Sequence, residues 1–130
     1  MDFPADLKYT KTDEWVRLAG KQATIGISDF AQQQLSDIVF VEVTAAAGDM
    51  VEAGKAFASV ESVKAASEVY MPAAAKVLAV NEELPSTPEL INSDPYGKAW
   101  MVRVELTDPA SLGGLMDAQA YQKYCEERAH

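Results

Sequence analysis

Residues 57–71 read FASVESVKAASEVYM, and this stretch decides how the rest of the chain is interpreted. Two segments of strand length, Phe57–Ser62 and Ser67–Met71, flank a short connection with Lys64 at its centre. The pattern predicts a β-hairpin that presents Lys64 at its tip. The amine of such a lysine can be acylated by a ligase, which removes its charge and leaves a long flexible tether. An exposed turn lysine is usually only solvated, so the hairpin alone does not assign a function.

Strand-length apolar segments continue on both sides of this hairpin, with turns that contain glycine or proline between them. They lie at Trp15–Leu18, Ala23–Ile27, Ile38–Val43, Val77–Val80 and Trp100–Leu106. This pattern predicts a mainly β chain, folded as a sandwich or a barrel. The four residues from Gly54, GKAF, are echoed from Gly97 as GKAW, and each copy runs into a segment ending in Val-Glu. If this weak repeat is more than chance, it predicts two similar β units that face each other.

Helix signals occur once between the strands and again near the C-terminal end. Ser28 and Asp117 are good N-caps for two helices, a short internal one and a final one. Since no linker-like segment divides the sequence, we predict one domain over residues 1–130. Its core spans about residues 7–107, and a C-terminal helical segment spans about residues 108–129.

Composition and charge exclude several classes of function. The chain has 130 residues, 48% apolar and 24% charged, which is ordinary for one globular domain. Its net charge of −9, with 20 acidic against 11 basic residues and no basic cluster, makes nucleic acid a poor partner and favours basic protein surfaces. The longest apolar runs are too short to span a bilayer, so we expect no membrane association.

The residue types needed for common catalytic and metal sites are nearly missing. Cys125 is the single cysteine, so no intramolecular disulfide can form, and we expect it to be a semi-buried apolar side chain. The single histidine, His130, is the terminal residue, a poor position for a catalytic base or a ligand. We therefore expect no catalytic triad, no Cys/His dyad and no metal site.

The hairpin motif has a specific resemblance. Glu61–Ser67, reading ESVKAAS, is similar to the lipoylation motif of the glycine cleavage system H proteins. The similarity extends along nearly the whole chain, in the same order and spacing. The further matching segments are Lys8–Thr10, Glu14–Val16, Gly26–Ser28, Phe30–Gln32, Asp37–Glu42, Val80–Asn81, Pro88–Asn92, Pro95–Gly97 and Trp100.

This resemblance implies a fold, a cofactor and a set of partners. The fold would be a barrel-sandwich hybrid of the lipoyl and biotinyl carrier type, with a short internal helix and a C-terminal helix. Lys64 would carry lipoate in amide linkage, as N6-lipoyllysine, after the action of a lipoate ligase or lipoyl transferase. The chain would be a monomeric, non-catalytic carrier, because the chemistry belongs to the cofactor. We expect it in the bacterial cytoplasm, or in the mitochondrial matrix if it is a mature eukaryotic chain.

The family's reaction cycle defines the carrier role in more detail. The P protein, glycine decarboxylase, passes the aminomethyl group of glycine to the lipoyl arm. The T protein, an aminomethyltransferase, moves the one-carbon unit to tetrahydrofolate and releases ammonia. The L protein, dihydrolipoamide dehydrogenase, reoxidises the arm. The loaded arm folds into a cleft where acidic groups hold its ammonium, and the matching positions are Glu14 and, four residues after the lysine, Glu68.

The chain departs from the family pattern at three positions. Asp13 stands where the family usually has His, and Ser36 and Ala75 stand where it usually has Gly. If the glycine at position 75 supports positive φ, alanine would cost about 1 kcal/mol or change the turn. The Asp13 substitution concerns partner contact near the cleft, whereas the lysine motif is intact.

Other functions are less well supported. Biotin carriers share the architecture, but their lysine normally lies between methionines, whereas Lys64 has Val63 and Ala65 beside it. A lipoate donor or modification scaffold outside glycine breakdown requires the same lysine and stays open. A hydrolase or transferase lacks support, because nothing in the sequence defines a general acid among the carboxylates.

Overall fold

Two antiparallel β-sheets form most of the molecule in the computed structural model, which describes residues 1–128. In chain order the strands are β1 (Lys8–Tyr9), β2 (Glu14–Ala19), β3 (Gln22–Ile27), β4 (Ile38–Val43), β5 (Met50–Val51), β6 (Ala56–Ser62), β7 (Ala66–Tyr70), β8 (Ala75–Val80) and β9 (Val102–Leu106). The helices are α1 (Asp29–Leu35), α2 (Leu90–Ser93) and α3 (Ala118–Arg128), with 3₁₀ turns at Leu84–Ser86 and Pro109–Gly114. The larger sheet has the strand order β1-β2-β3-β9-β8-β5, and the smaller has β4-β6-β7.

Period-two alternation on the strands builds the core between the sheets. In β9, Val102, Val104 and Leu106 are buried while the residues between them are exposed. These side chains pack in one cluster with Val60 of β6 and Val69 of β7, so the smaller sheet covers the larger one. A second cluster lies under α3, and it comprises Leu7, Tyr9, Trp15, Phe30, Tyr121 and Cys125. Glu61 and Ala66, next to the connection between β6 and β7, are exposed and belong to neither cluster.

The predicted mainly β fold, with a short internal helix and a C-terminal helix, is confirmed. Ser28 caps α1 by accepting the backbone N–H of Ala31 at 3.2 Å, and Asp117 accepts that of Ala120 at 2.8 Å. The prediction missed the two-residue strands β1 and β5, because a segment so short carries no readable periodicity.

The two copies of the GKAF echo lead into strands of different sheets. The copy at Gly54 runs into β6, the centre of the smaller sheet, and the copy at Gly97 precedes β9, which lies between β3 and β8. Gly54 has φ +82°, whereas Gly97 lies against the Asp94 carboxylate, which would be 2.6 Å from an added Cβ. The two glycines therefore meet different requirements, and the strand at the second copy begins later, at Val102.

No helix within residues 1–128 is long and apolar enough to cross a membrane. Across the same residues, no group of three or more His, Cys, Asp or Glu side chains could hold a metal ion. His130, which the sequence excludes as a catalytic base, lies outside the described residues.

Candidate functional site

Lys64 lies at the bend that joins β6 to β7. The bend is closed by Ser62, whose backbone N–H donates to Ala65 O at 2.7 Å. The Ser62 hydroxyl oxygen accepts the backbone N–H of Lys64 at 3.2 Å and that of Ala65 at 3.0 Å. Asp13 and Ser36 are the non-glycine residues between 1 and 128 with positive φ, so Lys64 turns the chain without the left-handed backbone of tight hairpins. Hydrogen bonds to the Ser62 hydroxyl stabilise the bend in place of a left-handed turn residue.

The Lys64 side chain is exposed, and no hydrogen bond or ion pair within residues 1–128 involves its amine. The backbone beneath it is held from a second direction, because Val63 N–H donates to Asp37 O, next to β4, at 3.1 Å. The Lys64 amine is therefore free, whereas the backbone that carries it is held by hydrogen bonds. This arrangement suits covalent attachment of a group that must then move.

The sheet surface next to Lys64 is acidic and partly apolar. Strand register places Phe40 of β4 opposite Glu61 of β6, and Glu68 of β7 opposite Ser59. Alternation directs Glu68 away from the core side of the sheet, where its neighbour Val69 is buried. A bulge between Ile38 and Phe40 leaves both Val39 and Phe40 exposed.

Glu14, the first of the two predicted cleft residues, is deeply buried. Its side chain is 1% exposed. Its Oε1 accepts the hydroxyl groups of Thr10 and Thr12, both at 2.5 Å, and its Oε2 accepts the backbone N–H of Tyr70 at 3.2 Å. Because Tyr70 is the last residue of β7, the carboxylate links the start of β2 to the strand that leads back to Lys64.

The electrostatic state of Glu14 follows from this burial. Burial raises the pKa of the Glu14 carboxyl above its ordinary value, although the hydrogen bonds from Thr10, Thr12 and Tyr70 N–H act in the opposite direction. An ionised carboxylate offers about four acceptor positions, and three are occupied here. Glu14 can therefore accept one more donor, and a cation would offset the cost of ionising it.

Glu14 and Glu68 line two different cavities that adjoin each other. Glu14 lines a cleft of about 470 Å³ together with Thr10, Tyr70 and Met71. Glu68 is exposed and lines a cavity of about 150 Å³ with Ile27 and Val60. Thr12 lines both cavities, so the two spaces are neighbours. The structure thus places the two predicted residues beside neighbouring spaces but not at one binding point.

The three departures from the family pattern differ in their structural roles. Ala75 is the first residue of β8, is buried and has no positive φ, so the glycine concern does not apply there. Ser36 has φ 66° and ψ −149°, a region that is essentially restricted to glycine. Asp13 has φ 75° and lines the smaller cavity, and its carboxylate binds Arg128 of α3 at 2.5 Å.

Thr10 and Thr12 are the site residues that sequence reasoning missed. They stand at spacing two before Glu14, which in a strand would place all three side chains on one face. The segment is instead a turn, with Asp13 N–H donating to Thr10 O at 3.2 Å. The spacing could have suggested a hydroxyl–carboxylate cluster, but the convergence of the three groups requires the folded turn.

Cys125 is buried, and burial raises the pKa of its thiol. A thiol held protonated is a weak nucleophile, which agrees with the packing role predicted for it.

Known proteins resemble this chain over nearly its full length. A family model described as glycine cleavage H-protein matches residues 7–128. The glycine cleavage system H protein of Carboxydothermus hydrogenoformans is 49% identical over 124 residues, covering 95% of each chain. That of Nitratidesulfovibrio vulgaris is 49% identical over 130 residues, covering all of both chains. The crystal structure of a glycine cleavage system H protein from Mycobacterium marinum superposes with a TM-score of 0.83 at 31% identity, covering 98% of this chain and 99% of that chain.

Proposed function

This chain belongs to the glycine cleavage H-protein family, and we propose that it performs the lipoyl-carrier role of that family through Lys64. The observation that carries the proposal is the braced hairpin tip. Lys64 combines an exposed amine that has no partner within residues 1–128 with a backbone held by Ser62 and by Asp37. A carrier needs a mobile attached group on a fixed anchor. The exposed Lys64 side chain allows the movement, and the hydrogen-bonded backbone of the tip provides the fixed anchor.

The residues around Lys64 fit a long acyl group. Val63, Ala65 and Ala66 flank the lysine without a bulky or charged side chain, so a modifying enzyme can close around the tip. A covalently attached lipoyl group supplies a dithiolane that accepts a carbon unit and electrons. The chain itself supplies the anchor, a cleft and a charged surface, and we propose that it has no catalytic residues of its own.

We propose that the arm cleft comprises the two neighbouring cavities that Thr12 lines. β7 runs from the hairpin toward Tyr70, whose N–H binds Glu14, and passes Glu68 on the way. A tether anchored at the tip can therefore follow β7 into the cleft. There, the ionised Glu14 carboxylate would accept an N–H of a terminal ammonium in its remaining acceptor position. A buried cation is costly unless it is paired, so this contact would favour the docked arm over the free one.

The proposed partners are the P, T and L proteins and the enzyme that attaches the lipoyl group. The net charge of −9 supports docking onto basic surfaces, and the relatives from bacteria support a place in the bacterial cytoplasm. The carrier is expected to act as a monomer. The system-level test is exchange of labelled bicarbonate into the carboxyl group of glycine by purified P protein. Failure of the fully lipoylated chain to support exchange would favour a lipoate-donor role instead.

The modification itself is tested by mass spectrometry. Coexpression with a lipoate ligase should add one lipoyl group to the peptide that contains Lys64, and Lys64→Arg should abolish the addition. The matched controls are Lys55→Arg, Lys76→Arg and Lys98→Arg, which should be modified as fully as the wild type. A lipoyl group on one of these three lysines in the wild-type protein would overturn the assignment.

The cleft is tested by the lifetime of the loaded protein after the P and T proteins have been removed. Glu14→Gln should hasten release of ammonia and formaldehyde roughly tenfold, if the lost contact contributes about 1.4 kcal/mol and only the free arm decays. Glu68→Gln measures the contribution of the exposed carboxylate in the same assay. Equal lifetimes for wild type and Glu14→Gln would mean that Glu14 does not hold the ammonium.

A further inference from the structure

The turn between β1 and β2, which contains Thr12 and Glu14, is bound by the C-terminal helix. Three side chains of α3 donate hydrogen bonds to residues of this turn. Tyr124 donates its hydroxyl to Lys11 O at 2.9 Å, and Tyr121 donates its hydroxyl to Asp13 Oδ1 at 2.8 Å. Arg128 donates to both carboxylate oxygens of Asp13, at 2.5 and 3.3 Å.

The same turn supplies residues that line the cavities assigned to the arm, and Asp13 itself lines the smaller one. Thr12 and Glu14 flank Asp13, and both line the cavities assigned to the arm. Asp13 has φ 75°, a left-handed backbone that aspartate adopts more readily than most residues, and contacts from outside the turn hold it there. Its carbonyl accepts Ser28 N–H at 2.9 Å, and the Arg128 ion pair supplies the charged contact.

Arg128 is itself held in place and is only partly exposed. Its guanidinium lies 4.1 Å from the ring centroid of Tyr124 and 4.7 Å from that of Phe30. The side chains of Arg128 and Asp13 are 32% and 20% exposed, so the pair is less screened than a fully solvated one. A bidentate contact from a stacked guanidinium also fixes the orientation of the Asp13 carboxylate, which a lysine in the same place could not do.

We propose that Asp13 and Arg128 are positioning residues for the arm cleft. Their ion pair locks the β1–β2 turn against α3, and this lock keeps Thr12 and Glu14 in the arrangement that receives the ammonium. The functional half of this inference rests on the proposed arm cleft, whereas the lock on the turn is independent of any cofactor. The C-terminal helix would thereby influence how long a loaded arm stays protected, without touching the arm.

The lock is tested first in the unlipoylated protein by amide hydrogen exchange. Arg128→Gln and Asp13→Asn should each speed exchange at Asp13 and Glu14 about fivefold, the factor expected for loss of one partly exposed ion pair. Asparagine tolerates positive φ, so Asp13→Asn removes the charge and keeps the backbone. The double variant should exchange no faster than either single variant, because the pair acts as one unit. The amides of Ala23 and Val104, in the paired strands β3 and β9, should be unchanged and report an intact fold.

The matched control is Arg103→Gln. Arg103 stacks on Trp100 at 5.0 Å, as Arg128 stacks on Tyr124, but it lies on β9 and makes no hydrogen bond or ion pair with the turn within residues 1–128. This variant should leave exchange in the turn unchanged. Arg128→Lys keeps the positive charge but cannot bind both carboxylate oxygens of Asp13 as a guanidinium does. Its exchange rates in the turn should fall between those of wild type and Arg128→Gln. Unchanged exchange at Asp13 and Glu14 in Arg128→Gln would overturn the lock.

The second readout is the lifetime of the loaded protein. Arg128→Gln should shorten it about fivefold in the wild-type background but not in the Glu14→Gln background, since the lock acts through Glu14. A faster-exchanging turn with an unchanged loaded lifetime would overturn the positioning role, provided that Glu14→Gln shortens that lifetime. If Glu14→Gln has no effect either, the arm cleft itself is wrong, and the exchange result still decides whether the lock exists.

Discussion

The Thr10 hydroxyl donates its hydrogen to Glu14 Oε1 at 2.5 Å rather than to the Thr12 hydroxyl oxygen, which lies farther away at 3.3 Å. Its oxygen already accepts two backbone N–H groups, that of Glu14 at 3.1 Å and that of Thr12 at 3.3 Å. A hydroxyl has one hydrogen and two acceptor positions, so with both acceptor positions filled the hydrogen points at the nearer acceptor, the carboxylate, to which the Thr12 hydroxyl also donates at 2.5 Å. The atom at the Oε1 position therefore has to be an acceptor, which determines how substitutions at residue 14 behave.

Glu14→Gln should destabilise the unlipoylated protein by about 1–2 kcal/mol near the acidic end of its stable range. The glutamine oxygen must take the place of Oε1, so its NH₂ group faces Tyr70 N–H and leaves that donor unpaired. The measurement is urea unfolding of both proteins. Glu42→Gln, at an exposed position of β4, is the matched control and should change stability by less than about 0.5 kcal/mol. A Glu14→Gln variant as stable as this control would mean that the Tyr70 contact contributes nothing.

The stability difference between wild type and Glu14→Gln should narrow as pH rises. Burial raises the pKa of Glu14 in the folded state above the ordinary 4.5. Its stabilising contribution is therefore complete below 4.5 and is lost as pH rises through the folded pKa, because the unfolded carboxyl ionises more readily. Unfolding free energies of both proteins, measured at several pH values above 4.5, give the difference directly. A difference that widens with pH would show that Glu14 is stabilised as the carboxylate.

Ser36→Gly should stabilise the protein by about 1 kcal/mol. Ser36 holds φ 66° and ψ −149°, where a side chain costs about 1–3 kcal/mol, and the greater freedom of glycine in the unfolded chain offsets part of the gain. The readout is the midpoint of thermal unfolding. Ser36→Ala is the control, since alanine keeps the strained Cβ and should give no gain. Equal midpoints for Ser36→Gly and Ser36→Ala would remove backbone strain as the explanation.

Ser62→Ala should slow lipoylation of Lys64 while leaving the fold intact. The serine oxygen holds the backbone N–H groups of Lys64 and Ala65, so alanine would release the bend that aims the amine. Initial rates with a lipoate ligase give the comparison, with Ser67→Ala as the control because the Ser67 hydroxyl makes only a long contact of 3.4 Å to Glu68 O. Two equal rates would show that the ligase does not depend on the Ser62 bridge.

Moving the lysine tests whether the ligase recognises the geometry of the hairpin tip or only an exposed amine. The double variants Lys64→Ala with Val63→Lys and Lys64→Ala with Ala65→Lys should be lipoylated much more slowly than wild type. The physical reason is the geometry of the bend, since residues 63–65 lie between β6 and β7. Each position projects its side chain in a different direction from the same braced backbone. A displaced lysine that is modified at the wild-type rate would show that exposure alone suffices.

The sequence alone determined the elements whose signals are local. Period-two alternation predicted the longer strands, capping residues predicted α1 and α3, and the ESVKAAS motif pointed to Lys64 and to the family. Such signals survive folding because each depends on residues within a few positions of one another. The hairpin that presents Lys64 belongs to this group, since its strands are neighbours in sequence.

The burial and pairing of the cleft carboxylates depend on contacts that form only when the chain folds. The resemblance pointed to Glu14 as a cleft residue, but not to its burial or to the N–H that it accepts from Tyr70, 56 positions away. Asp13 looked like a partner-contact position, yet it binds Arg128, 115 positions away. Burial and pairing depend on which surfaces are brought together when the sheets and α3 pack. Local patterns contain no record of those long-range contacts, so the environment of a carboxylate, and with it its pKa, appears only in the folded chain.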